Sequence, residues 1–436
     1  MSIDFVLPDG ARVYPDSVSE VQDGGLAMAR HNGRDIVVTA GAVKDAFGGG
    51  ELTRANAAAL RSLLPFTAPA PILSNPRTIG LGDRLGVATP GHIRAVADYD
   101  VFPVFAQQSA RELSLTNRSF EDVLDAATFA VFREGYRRGY GADADHLKRP
   151  EDITAAIGLG YTMITLDCSD HIRPGSGDDP ESCRAVYGDA IEFAARIYHD
   201  YIAPAGGKVD FELSIDETDT PTTPAQHLYV AESLAARGVR PATVAPRFCG
   251  EFQKGIDYIG DISQFERELA AHREIAERFG YKLSIHSGSD KFAVFRSVGR
   301  LTRGRFHLKT AGTNWLEAVR VVAAADPALF REVYAFALES FADARRFYHV
   351  KAAPESAPDI SGVPDSDLPS VLDDDDARQV VHITYGHILT APQFRSRLYR
   401  LWAEHAEDYA ERLAEHIGAH LKNLFYSSNG DHANLR

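Results

Sequence analysis

Thiol chemistry has little to work with in this sequence: cysteine occurs three times in 436 residues, at Cys168, Cys183 and Cys249, with no Cys-x-x-Cys pair. So few, odd in number and scattered, they exclude a disulfide framework or a zinc knuckle and point to a reducing compartment. Long apolar runs are also missing, so no segment is expected to span a membrane and no membrane partner is expected. Met1–Gly10 lacks the basic start and apolar middle of a secretory leader. The expectation from these absences is a cytoplasmic protein. Positive charge is short as well: 46 Lys and Arg against 61 Asp and Glu leave a net charge of −15. A polyanion surface needs concentrated Lys and Arg, so no nucleic-acid partner is expected. Nor is there an intact Gly-x-Gly-x-x-Gly turn. Gly80-Leu81-Gly82-Asp83 is a fragment of one, which counts against an open doubly wound sheet.

What is present is ordinary for a large core, with 44% hydrophobic and 25% charged residues. Residues 1–76 form a small β-rich cap and a Pro-rich linker: Phe5–Leu7, Arg12–Tyr14 and Asp35–Thr39 are β-prone runs between Asp-Gly and Asn-Gly turns. Leu52–Leu63 is patterned as a helix. From residue 77 to 314 a rhythm of short apolar runs and amphipathic helices takes over. The runs are Thr78–Asp83, Val101–Gln107, Gly139–His146, Tyr161–Asp167, Val209–Glu217, Ala242–Glu251, Lys282–Asp290 and Arg305–Gly312. Eight βα units predict an α/β fold, a (β/α)8 TIM-like barrel. Residues 315–436 are helical and are expected to pack on the barrel. Within them, the acidic run Asp373–Asp376 is expected to be a solvated loop.

In such a barrel the active site lies at the C-terminal strand ends, and side chains alternate in and out along each strand. Alternation sends Asp143 and Asp145, Thr165 and Asp167, Glu212, Ser214 and Asp216, Ser284 and His286, and His307 and Lys309 into the lumen, with His146 at the start of its loop. His146, Asp167, Glu212, Glu251, His286 and His307 thus converge from six strands on one volume. Carboxylates so close need compensating positive charge. Lys309 supplies one charge and a divalent metal would supply the rest; imidazole and carboxylate donors without thiolate suit Mn, Fe, Co, Ni or Zn. Arg84, Arg247, Lys254 and Lys309 stand at strand ends, where they either pair with neighbouring acids or bind a carboxylate-bearing substrate.

Five segments in this order, Gly80–His92, Gly141–His146, Phe211–Glu217, Ile285–Lys291 and Phe306–Trp315, resemble the tagaturonate epimerase family of hexuronate catabolism. The resemblance runs from about Gly80 to Trp315. It implies a metal-dependent isomerase interconverting the small-molecule uronates tagaturonate and fructuronate, with Asp145 and Glu251 as the acid/base pair and His146, His286 and His307 as metal ligands. Arg84 and Lys309, from their place at barrel strand ends, are expected to bind the charged substrate. The two sugars differ at a carbinol carbon β to the ketone, whose C–H simple enolisation cannot acidify. Retro-aldol cleavage with re-addition, or migration of the carbonyl through enediols, would solve this; transient oxidation would call for a nucleotide fingerprint that is not seen. Two other readings stay open: a different metal-dependent sugar isomerase, epimerase or aldolase on the same barrel, and a non-catalytic sugar-acid-binding protein. The identity of the metal and the oligomeric state are open as well.

Overall fold

A computed structural model describes residues 3–22 and 24–425. The cap is a four-stranded antiparallel sheet of β1 (Arg12–Val13), β2 (Ser19–Val21), β3 (Gly24–His31) and β4 (Arg34–Gly41), with β3 pairing all three others. Asn32 and Gly33, both at positive φ, turn β3 into β4. Sequence patterning foresaw β1 and β4. It missed β3, whose Gly-Gly-Leu-Ala-Met-Ala start is poor in the β-branched residues that mark strands, and it marked Phe5–Leu7, which pairs with nothing in the sheet. The helix Arg54–Leu63, capped by Thr53, packs its buried Ala57 and Leu60 with Leu26 and Met28 of the cap and with Phe129 and Phe132 of the barrel wall.

The closed parallel barrel consists of β5 (Arg77–Leu81), β6 (Phe102–Ser109), β7 (Gly141–Leu147), β8 (Met163–Asp167), β9 (Asp210–Ile215), β10 (Thr243–Pro246), β11 (Lys282–Ile285) and β12 (Phe306–Thr310), with β12 closing onto β5. All eight fall on the expected runs. The wall helices start where the sequence supplies side-chain acceptors for their unpaired N–H groups. Ser119 and Asp122 form a capping box on Phe120–Arg133, as do Thr223 and Gln226 on Pro224–Ala236. At the lower rim Asp210 accepts from the backbone N–H groups of Ile72 and Leu73, tying the linker to the barrel.

After the barrel helix Thr313–Ala325, further helices wrap one side and reach across the C-terminal strand ends. Trp315 donates to the Val381 carbonyl and Tyr409 to that of Asn314. The acidic run is a helix start: Asp374 caps Asp375–Ile383, where carboxylates face the positive end of the helix dipole. Near the C-terminus the helical run breaks at His405 into Pro392–Glu404 and Ala406–Leu424. Among the described residues no helix is long and apolar enough to cross a membrane.

The last helix is fastened to the loop after β11 through Asp290, which holds Arg378 at 2.7 Å and His416 at 2.8 Å. Beside them the ring of His420 accepts from the Asp290 N–H and donates to the His416 carbonyl. Both of its nitrogens are used, so the trio is an anchor and not a metal site. Asp290→Ala leaves a buried guanidinium without its partner and should cost roughly 3–5 kcal/mol in denaturant unfolding; a loss below about 1 kcal/mol would show that the anchor is dispensable. Burial opposes the His416 imidazolium, but Asp290 outweighs it and raises its pKa. Its stabilisation is therefore complete below the unfolded value of about 6.5 and fades as pH rises through the folded one. The stability gap between wild type and His416→Gln should shrink on going from about pH 6 to alkaline buffer, and a gap that widens would contradict this.

Candidate active site

Lys309 sits at the centre of the lumen, where β12 carries it inward at the level of β7, β8 and β9. Its Nζ lies 2.7 Å from Asp143, 2.6 Å from Asp145 and 2.8 Å from Glu212, and it donates to Thr165 Oγ1 at 2.5 Å. Burial opposes the ammonium, yet the three carboxylates hold its pKa well above the usual lysine range. Burial also opposes ionisation of the acids. It prevails at Asp143, whose pKa is raised, and loses at Asp145 to His146 and Lys309 and at Glu212 to Lys309 and His286, so both of the latter stay ionised. Four oxygens around three N–H donors leave Lys309 nothing to offer a substrate carboxylate. Its expected role as a substrate cation is corrected to that of the charge that makes this acidic lumen foldable.

Above this layer stand two imidazoles, their ring centroids 5.0 Å apart. His146 Nδ1 is 2.8 Å from Asp145 Oδ1, and His286 Nε2 is 2.7 Å from Glu212 Oε1. Each ring thus has a carboxylate on one nitrogen and turns the other toward the open lumen. The free Nδ1 of His286 is 3.1 Å from Asp216 Oδ1 but makes no aligned hydrogen bond there. One donor atom from each of His146, Asp216 and His286 falls within 4.8 Å of the others. Burial would discharge the imidazoles, but Asp145 raises His146 to about 9, and Asp216 with Glu212 raises His286 to about 10.

The backbone departs from regularity where it delivers these groups. Strict alternation would turn His146 out of the lumen. A register shift between β7 and β8 and a left-handed φ of +53° swing it inward. Ser287 and Asp290, flanking the turn after His286, are left-handed too, at +49° and +60°. Non-glycine residues in this region are strained, and strain is kept where a function holds it.

The residues expected from sequence are distributed as follows. Asp145, His146, His286, Lys309 and Arg84 line one pocket together with Asp216, Glu217, Arg111, Glu112, Lys254 and His382. His307 does not join the imidazole pair: it lies lower in the lumen, its Nδ1 2.9 Å from Thr78 Oγ1, and burial lowers it to about 3. A ligand role for it is therefore set aside; Asp216 occupies that place, an acid whose inward direction was legible but whose convergence with the rings was not. Glu251 does not meet Asp145 across the lumen. It stands half exposed at the pocket mouth, bonded to Gln253 and 3.5 Å from His349. Glu217, 3.8 Å from His146 Nε2, is another carboxylate of the pocket. Asp167 caps its own loop by accepting from Ser169 N–H. Arg84 is buried against Glu112 through Nε and Nη2.

The model of the tagaturonate epimerase family matches residues 27–182 and 176–424. A curated relative, the tagaturonate/fructuronate epimerase of Thermotoga maritima, is 44% identical over 386 residues, 80% of each chain. The native crystal structure of fructuronate-tagaturonate epimerase from Cohnella laeviribosi is similar at a TM-score of 0.92 and 45% identity, covering 95% of this chain and 97% of that one. A two-glycerol complex of the same enzyme gives 0.93 at 45% identity, covering 96% and 97%.

The charge layer makes opposite demands at neighbouring positions. Lys309→Met strands ionised acids in a dry lumen and should destabilise the fold by roughly 3–5 kcal/mol. Asp143→Asn replaces the acid whose pKa burial raises to about 7, the least strongly ionised of the three, and should cost less than about 1.5 kcal/mol. Denaturation midpoints of the two variants check this ordering; equal losses would mean that Asp143 is ionised in the native state.

Proposed function

We propose, for a chain that belongs to the tagaturonate epimerase family, that it interconverts tagaturonate and fructuronate at a divalent-metal centre formed by His146, Asp216 and His286. The protein is an isomerase. The observation that carries the metal reading is the pair of imidazoles, each oriented by a carboxylate behind it and each presenting its remaining nitrogen beside Asp216. Backing carboxylates of this kind fix the tautomer and raise the basicity of metal-bound histidine. Two nitrogens and a carboxylate oxygen, with no thiolate, fit Mn, Fe, Co, Ni or Zn. When bound, such a cation supplies Lewis acidity for the ketone and for the enolate derived from it.

The chain's own groups then divide the remaining work. Numbering the ketone carbon C2, the carbon to be inverted is C4. Glu217 is the carboxylate placed to take the C4 hydroxyl proton, because it borders the pocket, stands 3.8 Å from His146 Nε2 and is held in no closer ion pair among the described residues. Loss of that proton lets the C3–C4 bond break, its electron pair passing to C3 and the C2 oxygen as an enolate while C4 becomes an aldehyde. Rotation about the bond next to C4 presents the other face, the C3–C4 bond re-forms, and the proton returns from Glu217 to the C4 oxygen. Asp145, held ionised by Lys309 and His146, orients the His146 ring. Lys309 keeps its proton and is not a Schiff-base nucleophile.

Metal-loaded protein incubated with tagaturonate should yield fructuronate by NMR. Chelation should abolish turnover while leaving the unfolding transition largely in place, and Asp216→Asn should lower bound metal in elemental analysis. Full activity in a metal-free sample would falsify the metal reading. In D2O, protium retained at C4 is the expected outcome of C3–C4 cleavage; deuterium at C4 would transfer the reaction to carbonyl migration. Glu217→Gln should lower kcat roughly 10²–10⁴-fold with metal retained.

A further inference from the structure

The reaction centre occupies one end of the pocket, and the other end has an electrostatic character of its own. Arg84, Arg111 and Lys254 line it, with Glu112 among them and Glu217 close enough to act on Arg111 and Lys254. Glu112 is taken up by Nε and Nη2 of Arg84 at 2.8 and 2.6 Å, while Arg84 Nη1 is buried and has no hydrogen-bond partner. His382, carried in by the helix Asp375–Ile383, is 1% exposed, and neither of its ring nitrogens has a partner. A buried N–H without an acceptor costs free energy, and an acceptor bound at this pocket end would satisfy both side chains. The backbone makes room for this ring: a Cβ on Gly312 would come within 2.0 Å of it, and one on Gly255 within 3.2 Å.

Charge points the same way. Lys254 is lowered first by burial and then by the Arg111 and Arg84 guanidiniums, and its ammonium reaches Ser287 Oγ at 2.9 Å without a carboxylate in contact. His382 is kept neutral by burial, reinforced by Arg84 and Lys254. The guanidiniums are stacked on a tyrosine pair: Arg84 lies 4.0 Å from the Tyr385 ring centre, Arg111 5.2 Å from that of Tyr348, and the two hydroxyls meet at 3.1 Å. Stacking on aromatic faces fixes the planes of the cations while leaving their edges for an anion.

We infer that this end is the carboxylate subsite, in which Lys254, Arg111 and Nη1 of Arg84 grip the uronate carboxylate, His382 donates to it, and the C-terminal helical layer supplies the wall. The inference rests on the reading of the protein as a uronate epimerase and deepens it. Anchoring the carboxylate here leaves the ketone end of a six-carbon acid toward His146, Asp216 and His286. It makes Lys254 and Arg111 specificity determinants, a role that ion pairing denies to Lys309.

The test uses metal-loaded full-length protein as wild type, Lys254→Met, Arg111→Leu and Arg111→Lys. Thermal unfolding is measured with D-galactonate and with galactitol, open-chain six-carbon probes that differ by the carboxylate. Wild type should be stabilised by the acid well beyond the polyol; Lys254→Met and Arg111→Leu should lose that difference and Arg111→Lys should keep part of it. In turnover, KM for tagaturonate should rise roughly 10²-fold in the two neutralised variants, with kcat falling less. Arg111 is at the exposed mouth, so its variants report even if Lys254→Met folds poorly. Equal stabilisation of wild type by both probes, or an acid preference that survives Arg111→Leu, overturns the subsite. Failure of wild type to convert tagaturonate would count against the epimerase reading alone, since the binding comparison still decides the subsite.

Discussion

One buried ammonium allows this barrel to carry an acidic lumen. Lys309 lies within 2.8 Å of Asp143, Asp145 and Glu212, a cluster that would otherwise have to protonate or let water in. Because Asp145 and Glu212 remain ionised, each can orient one histidine. Because both histidines are oriented, their free nitrogens converge beside Asp216. The chain of dependence runs from a charge near the end of β12, through two carboxylates on β7 and β9, to the reactive edge of the site. A substitution at Lys309 therefore acts on folding and on the centre at once, through the same oxygens.

The backbone irregularities belong to the same design. A regular strand places alternate residues inward, which suffices for Asp143, Asp145, Glu212, Lys309 and Ser284. It cannot put Asp145 and His146, adjacent in the chain, into the same pocket. The shift in register on β7 and the left-handed conformation of His146 do so. The turn Ser287–Asp290 similarly lets one short segment face the pocket with Ser287 and Ser289 while Asp290 fastens the C-terminal helices.

That fastening gives the C-terminal layer a share in the chemistry. Its helices bring His382 and Tyr385 over the strand ends, and the segment before them brings Tyr348. The pocket is thus polarised, with metal-competent donors at the barrel end and stacked cations at the helical end. A substrate carrying a carboxylate at one end and a ketone near the other matches that polarity. This is why charged-substrate recognition and bond chemistry can be tuned at separate residues.

The sequence by itself determined the eight barrel strands, because apolar runs of strand length recur between amphipathic helices. It also determined the inward direction of Asp143, Asp145, Glu212, Asp216, His286 and Lys309, because side-chain alternation is local. The eight-residue β3 was illegible for the corresponding reason: its glycines and alanines carry no strand signal, and only pairing with three neighbours makes it a strand. Only the tertiary structure decided which inward residues meet. Height along the barrel separates His307 from the other histidines, and the loop beyond β10 carries Glu251 out to the mouth. Lys309 and Lys254, both strand-end lysines, differ because one is surrounded by carboxylates and the other by guanidiniums. His382 and Arg111 gave no sign in the sequence, since what distinguishes them is a position opposite a pocket that residues three hundred apart in the chain close together.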